Sequence, residues 1–323
     1  MNKLISDALN IAAPDADPSL YVTTVTLSAP DRGLPLELRV TAPAAGDNLP
    51  VVLLSHGGGE SLYLASKDGY DPIVQFYAAR GFAVMQPTHL SSMIGGFGLN
   101  PAKPGHPMFG RARIADMRQI LDSLTEIEQQ VPGLSGRLDH DSVVAVGHSA
   151  GAQTVAVLLG ARLKDADGNV IDEDLTEPRI KAGLLLAPTG NGDGLTQVVR
   201  EAYPELDLDF SHMTTRALVA YGDDDINPAM MLRGADWHAD PYHQSPGAEH
   251  LITFFGAKHF LGGIMGYNLQ ETDDENPELL AITQRMTWAY LRSVVDPTDD
   301  AWADARTAFE KHTASYGRID SKS

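Results

Sequence analysis

The amino-acid sequence predicts an α/β fold with a mostly parallel central sheet flanked by helices. Short, continuous apolar runs recur along the chain, among them VVLLS at 51–55, VVAVG at 143–147 and ALVAYG at 217–222. Such runs are typical of strands that are covered on both faces, as in a parallel sheet. Segments with apolar residues at helical spacing lie between them, and this alternation of strand and helix favours the α/β class.

Eight segments combine apolar or β-branched residues with flanking turn residues. The predicted strands are Tyr21–Leu27, Leu36–Val40, Pro50–Ser55, Phe82–Gln86, Ser142–Gly147, Ala182–Ala187, Arg216–Gly222 and Leu251–Phe255.

Four segments show the spacing of an amphipathic helix. Asp71–Arg80 ends at a glycine, and Ala112–Gln130 ends before a Val-Pro-Gly sequence that breaks helices. Ala150–Leu163 follows a strand directly, and Pro277–Val294 is the longest of the four.

We predict a single α/β domain over residues 1–323, with its core at about 20–294 and a C-terminal helix and tail at 295–323. No internal repeat is visible, which excludes solenoids and propellers. Two long segments, Thr88–Gly110 and Asn227–Glu249, do not fit the alternation of strands and helices. Long insertions in compact domains usually carry function, so we expect these two to form a partial lid over a substrate.

Composition excludes several kinds of chemistry. The 323 residues contain no cysteine, so disulfides, thiolate metal sites and a thiol nucleophile are absent. With 24 Lys and Arg against 43 Asp and Glu, the net charge of −19 disfavours nucleic acid and anionic membranes as partners. The chain has no signal-peptide pattern or apolar span, so we expect a cytoplasmic protein, and a homodimer is compatible with the sequence.

The sequence GHSAG at 147–151 is the strongest motif, because it lies directly between a predicted strand and a predicted helix. A sharp strand-to-helix turn needs small residues on both sides of its central residue, and Gly147 and Gly151 meet this need. Alone, G-x-S-x-G is a weak pattern. Its position makes Ser149 a candidate nucleophile.

A serine nucleophile needs hydrogen-bond donors for the developing oxyanion. The predicted strand at 50–55 runs into SHGGG at 55–59, where Gly58 is the best candidate for one backbone donor. The amide of Ala150, in the first turn of the following helix, is the second. Found alone, such a glycine-rich segment after a strand is more often a simple turn.

Three adjacent carboxylates, Asp223, Asp224 and Asp225, follow the predicted strand at 216–222. Only one is needed to orient a catalytic base, and Asp225 is favoured because it lies deepest in the loop. A solvated turn, a helix cap before Pro228 and a weak cation site remain alternatives for this run. Asp193, after the strand at 182–187, is the second candidate for the acid.

Eleven histidines compete for the role of base. His56 and His148 belong to the two motif turns, and most others fall in long loops or the tail. His259 remains, because it directly follows the predicted strand at 251–255 in the glycine-rich sequence GAKHFLGG. The order Ser149, Asp225, His259 is the nucleophile, acid and base order of one known class of serine hydrolases.

Taken together, these motifs resemble those of the α/β-hydrolase superfamily. Within it the chain is similar to chlorophyllase-like and predicted dienelactone-hydrolase-like serine esterases, which are related to bacterial platelet-activating-factor acetylhydrolase-like enzymes and polyester hydrolases. The resemblance covers about residues 20–294 and rests on five segments: LPVVLLSHGGG at 49–59, ARGFAVMQPTH at 79–89, VVAVGHSAG at 143–151, VAYGDDDINP at 219–228 and FFGAKHFLGG at 254–263.

The resemblance implies that Ser149 is the nucleophile, Asp225 the acid and His259 the base, with the amides of Gly58 and Ala150 as the oxyanion hole. True dienelactone hydrolases use a cysteine, which this chain lacks. Dienelactone is therefore not the expected substrate.

The sequence thus predicts a serine carboxylic-ester hydrolase that acts through an acyl-enzyme on a small to medium apolar or aromatic ester or lactone. Candidate substrate-binding residues are Gly57, His148, Phe109 and Trp237. An amidase or peptidase of the same fold and a non-catalytic binding protein are the alternatives. No nucleotide or phosphate motif is present, so we expect no cofactor. A metal held by the Asp223–Asp225 run with His238 and His243 is a further alternative.

Overall fold

The computed structural model describes residues 4–58, 66–92, 110–165, 167–266 and 273–322. Within these residues the chain forms a nine-stranded sheet and a separate pair of two-residue strands. The strands are β1 Ser19–Leu27, β2 Leu36–Pro43, β3 Leu49–Ser55, β4 Ala83–Pro87, β5 Leu138–His148, β6 Arg162–Leu163, β7 Ile180–Leu186, β8 Leu208–Asp209, β9 Arg216–Gly222, β10 Ala248–Phe254 and β11 Gly317–Ser321.

Eight α-helices are present in the same residues. They are α1 Asp71–Ala78, α2 Gly110–Asp122, α3 Leu124–Gln130, α4 Ala150–Leu158, α5 Gln197–Ala202, α6 Asp240–Gln244, α7 Pro277–Val295 and α8 Ala301–His312.

The large sheet is mixed but mostly parallel. Its strands lie in the order β1-β2-β4-β3-β5-β7-β9-β10-β11. The six strands from β4 to β10 are parallel to their neighbours, whereas β1, β2 and β11 pair antiparallel at the two sides. Carboxyl ends of parallel strands meet at one edge of a sheet. The loops after β3, β5, β7, β9 and β10 therefore converge there.

Helices cover both faces of this sheet, as the continuous apolar runs predict. Along β3, Val51 and Leu53 pack with the side chains of α2, α3 and α4, whereas Val52 and Leu54 pack with those of α1, α7 and α8. Side chains of successive strand residues point to opposite faces. Each central strand therefore packs against two apolar layers, one on each face of the sheet. This packing fixes the positions of the strand ends that carry the converging loops.

The predicted α/β class and mostly parallel sheet are confirmed. Two predicted helices need correction. The segment 112–130 is divided into α2 and α3 at Ser123, and the helix predicted to reach Leu163 ends at Leu158, before Gly160 with φ 118°. β11 was not predicted, because its sequence GRIDS lacks an apolar run.

Within the described residues, no helix has the length and apolar character needed to cross a membrane.

Candidate active site

Ser149 lies between β5 and α4 with φ 53° and ψ −121°, a conformation that residues with a side chain rarely adopt. The flanking glycines are required by close packing. A Cβ atom on Gly147 would lie 2.2 Å from the carbonyl oxygen of Gly151, and one on Gly151 would lie 1.9 Å from that of Ser55. The motif therefore forms the sharp strand-to-helix turn that the sequence predicts, with a partly exposed serine at its tip.

Asp225 and His259 lie on the loops that follow β9 and β10. Asp225 Oδ2 is 2.8 Å from His259 Nδ1, so the imidazole donates to a carboxylate that is 5% exposed. Burial raises the pKa of Asp225, but the hydrogen bond from His259 and nearby imidazoles lower it to a net value below that of an ordinary carboxyl. His259 Nε2 has no hydrogen-bond partner among the described residues, which leaves it available to accept a proton.

The other candidate acids lie elsewhere. Asp223 accepts a hydrogen bond from the Gly256 amide at 2.7 Å and thereby braces the loop. Asp193 is on a short 3₁₀ turn, with its side chain 74% exposed and 3.8 Å from Arg233. Of the carboxylates considered from sequence, Asp225 is the one that meets His259.

A chain of hydrogen bonds connects the serine turn to the loop of His259. The Gly57 amide donates to the Tyr70 hydroxyl at 2.9 Å, and this hydroxyl donates to His148 Nδ1 at 2.8 Å. His148 Nε2 then donates to the carbonyl oxygen of His259 at 2.8 Å, and the two imidazole rings are 4.8 Å apart. The residue before Ser149 thus fixes the backbone that carries the candidate base.

His148 is neutral in this arrangement. Burial and the nearby His259 lower its pKa to about 3, and its two ring nitrogens serve as one acceptor and one donor. Both nitrogens are used inside the protein and the side chain is 2% exposed. A substrate contact through His148, which the sequence predicts, would therefore have to involve its ring carbon atoms.

His238 is a further residue of this site, which the sequence suggests only as a possible metal ligand and not as a partner of the acid. Its Nε2 is 3.2 Å from Asp225 Oδ2, and its Nδ1 faces the carbonyl oxygen of Pro188. Burial lowers the pKa of His238, although the carboxylate of Asp225 opposes this effect. Asp225 thus lies between two imidazoles. The sequence does not predict this contact, because His238 reaches the acid only through the folding of the 227–249 segment.

The turn after β3 packs directly against Ser149. A Cβ atom on Gly57 would lie 3.4 Å from Ser149 Cβ and 3.3 Å from His148 Nδ1, so only glycine fits without displacement. The Gly57 amide is occupied by Tyr70. The amides of Gly58 and Ala150 have no acceptor in the described part of the chain, and Ala150 is the first residue of α4. These two amides are therefore available as donors beside the serine turn.

A cavity of about 500 Å³ adjoins Asp225 and His259. Its walls combine apolar side chains with polar groups, and three of the polar groups are carboxylates. The apolar side comprises Ile226, Met230, Met231, Trp237 and Phe260. The polar side comprises Thr189, Asp224, Asn227, Lys258 and Asp273, in addition to His238.

The predicted substrate-binding residues are distributed unevenly. Trp237 borders this cavity but is fully buried, and its indole nitrogen donates to the carbonyl oxygen of Asn191 at 2.8 Å. Phe109 and residues 93–108 of the first insertion lie outside the described residues. Their contact with substrate stays a prediction.

In the described ranges, no group of three or more acidic or histidine side chains is arranged to hold a metal ion. The chain matches no protein-family model and no curated protein.

Proposed function

We propose that this protein is a serine hydrolase that cleaves carboxylic esters through an acyl-enzyme. One observation carries the proposal: Ser149 occupies a strained, partly exposed turn at the sheet edge where Asp225 holds His259 at 2.8 Å. Backbone strain at an exposed serine is expected where the residue has a chemical role. Packing of a buried turn alone would not require the strained backbone conformation of Ser149.

Membership of the α/β-hydrolase superfamily is part of the proposal. Its support is a mostly parallel sheet in which β5 leads through G-x-S-x-G into α4, with the acid after β9 and the base after β10. This chain order of nucleophile, acid and base is that of α/β-hydrolases.

In the proposed mechanism His259 Nε2 accepts the Ser149 proton as the hydroxyl oxygen attacks the ester carbonyl carbon. Asp225 holds the imidazole by its Nδ1 hydrogen and stabilises the imidazolium that forms. The amides of Gly58 and Ala150 donate to the oxyanion. The imidazolium then protonates the leaving alcohol, and water, activated by the same imidazole, hydrolyses the acyl-enzyme.

The substrate we propose is an uncharged ester or lactone with an apolar or aromatic group. The cavity beside His259 supports this, because Met230, Ile226 and Phe260 line it while its acidic groups outnumber Lys258. An anionic ester would be repelled by these carboxylates and by the net charge of −19. The segments Thr88–Gly110 and Asn227–Glu249 are proposed to form the remaining walls as a partial lid.

A rapid-mixing experiment with p-nitrophenyl butyrate tests the proposal. When deacylation is slower than acylation, an acyl-enzyme produces a burst of p-nitrophenol equal to the enzyme concentration, and Ser149→Ala should abolish both the burst and the steady-state rate. Ser211→Ala, a change at an exposed serine bonded to Asp209, is the matched control. Unchanged hydrolysis by Ser149→Ala would contradict the proposal, and so would an inactive wild-type protein across a panel of esters and lactones.

A further inference from the structure

Arg113 on α2 is a buried cation that contacts the backbone of the turn formed by Gly57 and Gly58. Its side chain is 1% exposed. Its Nη1 donates to the carbonyl oxygen of His56 at 2.7 Å, and its Nη2 donates to that of Gly57 at 3.2 Å. Its Nε donates to Ser91 Oγ at 2.9 Å, which fixes the plane of the guanidinium.

These two carbonyl contacts determine where the next amides point. In a trans peptide the C=O and N–H bonds point in opposite directions, and both peptides of this turn are trans. The carbonyl of His56 faces Arg113, and the Gly57 amide on the other side reaches Tyr70 at 2.9 Å. By the same geometry, the Gly58 amide must point away from Arg113.

A second contact fixes the Gly57–Gly58 peptide. His56 Nδ1 donates to the Gly57 carbonyl oxygen at 2.6 Å, while His56 Nε2 accepts from the His89 amide at 3.0 Å. The Gly57 carbonyl therefore receives donors from both Arg113 and His56. Tyr70 already accepts from the Gly57 amide, whereas the Gly58 amide has no acceptor among the described residues.

Arg113 also contributes charge. No carboxylate of the described residues forms an ion pair with it, because Asp116 on the same helix pairs with Arg32 at 2.9 Å. Burial lowers the pKa of Arg113 to about 10, so the guanidinium remains charged at neutral pH. A cation at the carbonyl end of a peptide polarises that peptide and makes its N–H a stronger donor, an effect that a low-dielectric interior enhances.

We propose that Arg113 is a positioning residue that orients and polarises the Gly57–Gly58 peptide, so that the Gly58 amide stabilises the oxyanion of the reaction. This inference rests on the proposed ester hydrolysis. It gives Arg113, which is neither the serine, the acid nor the base, a role that is limited to the transition state.

The test compares Arg113→Gln and Arg113→Lys with Arg39→Gln. Arg39 is an equally buried arginine, 5% exposed and paired with Asp71 at 2.7 Å, and it has no contact with the turn. The measurements are kcat and KM for p-nitrophenyl butyrate, the Ki of a trifluoromethyl ketone that forms a tetrahedral adduct with serine, and the melting temperature.

We expect Arg113→Gln to lower kcat by about 100-fold, the usual effect of losing one oxyanion donor, with KM changed by less than about threefold. The affinity of the trifluoromethyl ketone should fall by a similar factor, because the adduct carries the same oxyanion. Arg113→Lys should recover part of the loss, since an ammonium can still reach a carbonyl. Arg39→Gln should change only the melting temperature.

Two results would overturn the inference: a folded Arg113→Gln protein with kcat within about threefold of wild type, or losses in kcat and inhibitor affinity that do not move together. If both Arg113 variants fail to fold, the wild-type protein labelled with ¹⁵N-glycine decides the matter. Adduct formation should then shift the Gly58 amide proton downfield and leave that of Gly57 in place. The absence of this difference would contradict the proposal, whereas a wild-type protein without esterase activity would instead refute the proposed function.

Discussion

Two sets of serine, histidine and aspartate side chains in the described part of the chain can be compared, one enclosed and one open to solvent. In the enclosed set, the Ser55 hydroxyl donates to His89 Nε2 at 3.0 Å, and His89 Nδ1 is 2.8 Å from Asp116 Oδ2. All three residues are at most 2% exposed. Every polar contact expected of a catalytic triad is present, but no substrate can reach the serine.

The open set, Ser149, His259 and Asp225, differs in each respect that chemistry requires. Ser149 is partly exposed in a strained turn, the His259 side chain is 35% exposed, and free amides lie beside the serine. Hydrogen-bond geometry alone would favour the enclosed set. Access, backbone strain and unpartnered donors favour the open set, and they distinguish a reactive arrangement from a structural one.

Replacing the two serines should separate the two sets most clearly. Ser149→Ala should lower kcat by about 10³-fold or more without loss of stability, because it removes the proposed nucleophile. Ser55→Ala should leave kcat within about threefold but lower stability by about 1–3 kcal/mol, because His89 loses its buried donor. Ester hydrolysis and thermal unfolding, measured on the same preparations, check both expectations, and a reversed pattern would show that the open set is the structural one.

Replacing Asp225 and Asp116 should separate the two sets in the same way, with an effect on activity somewhat smaller than that of replacing the serines. Asp225→Asn should lower kcat by about 10²- to 10⁴-fold, because an amide disturbs the tautomer that His259 needs. Asp116→Asn should change the melting temperature and not kcat. Asp193→Asn serves as a surface control, and a large loss of kcat in that variant with an active Asp225→Asn would reassign the acid.

The pH dependence of stability provides a third comparison. The folded protein lowers the pKa of His148 to about 3, so its contribution to stability is complete above the ordinary histidine value and is lost as pH falls toward 3. Burial raises the pKa of Asp116 to about 6, so its ionisation costs stability as pH rises through 6. Acidification therefore acts on the two residues in opposite directions.

Denaturant unfolding at pH 7.5 and pH 5 measures this difference. The free energy of unfolding of His148→Gln should fall by about 2 kcal/mol less on acidification than that of the wild type. In the wild type, pH 5 lies about 1.5 units below the ordinary histidine pKa, so unfolding is favoured by protonation of the exposed imidazole, and the variant lacks this imidazole. Asp116→Asn should lose more stability on acidification than the wild type, because it lacks the carboxylate whose protonation stabilises the folded wild-type protein at low pH. Identical losses in all three proteins would show that neither residue is linked to folding.

The smallest expected effect concerns the cavity beside Asp225 and His259. Met230→Ala should change the ratio of kcat/KM for p-nitrophenyl octanoate and acetate by about three- to tenfold, the effect of altering an apolar wall. Leu232→Ala, on the same loop but 68% exposed and not among the cavity residues, is the matched control. An equal change in both variants would mean that the cavity does not select the substrate.

The sequence predicted the central part of the fold well, because buried parallel strands require continuous apolar runs. The run at 216–222 coincides with β9, and the predicted strand at 182–187 lies within one or two residues of β7. β11 pairs through its backbone at the side of the sheet, where its polar side chains are tolerated. Such a strand leaves little signal in the sequence.

The candidate site was partly predictable for a similar reason. Ser149, Asp225 and His259 directly follow strands, so the parallel topology brings their loops to one edge. His238 and Arg113 follow no such rule, because their positions depend on how a long segment and a helix pack. Their contacts with Asp225 and with the Gly57 carbonyl are visible only in the structure.

The most direct test of the central claim is reaction with a fluorophosphonate, followed by mass spectrometry of the digested protein. The open set predicts one phosphonylated residue, Ser149, with labelling abolished by Ser149→Ala and retained by Ser55→Ala. Labelling of Ser55, or a wild-type protein that remains unlabelled while it hydrolyses esters, would contradict the account.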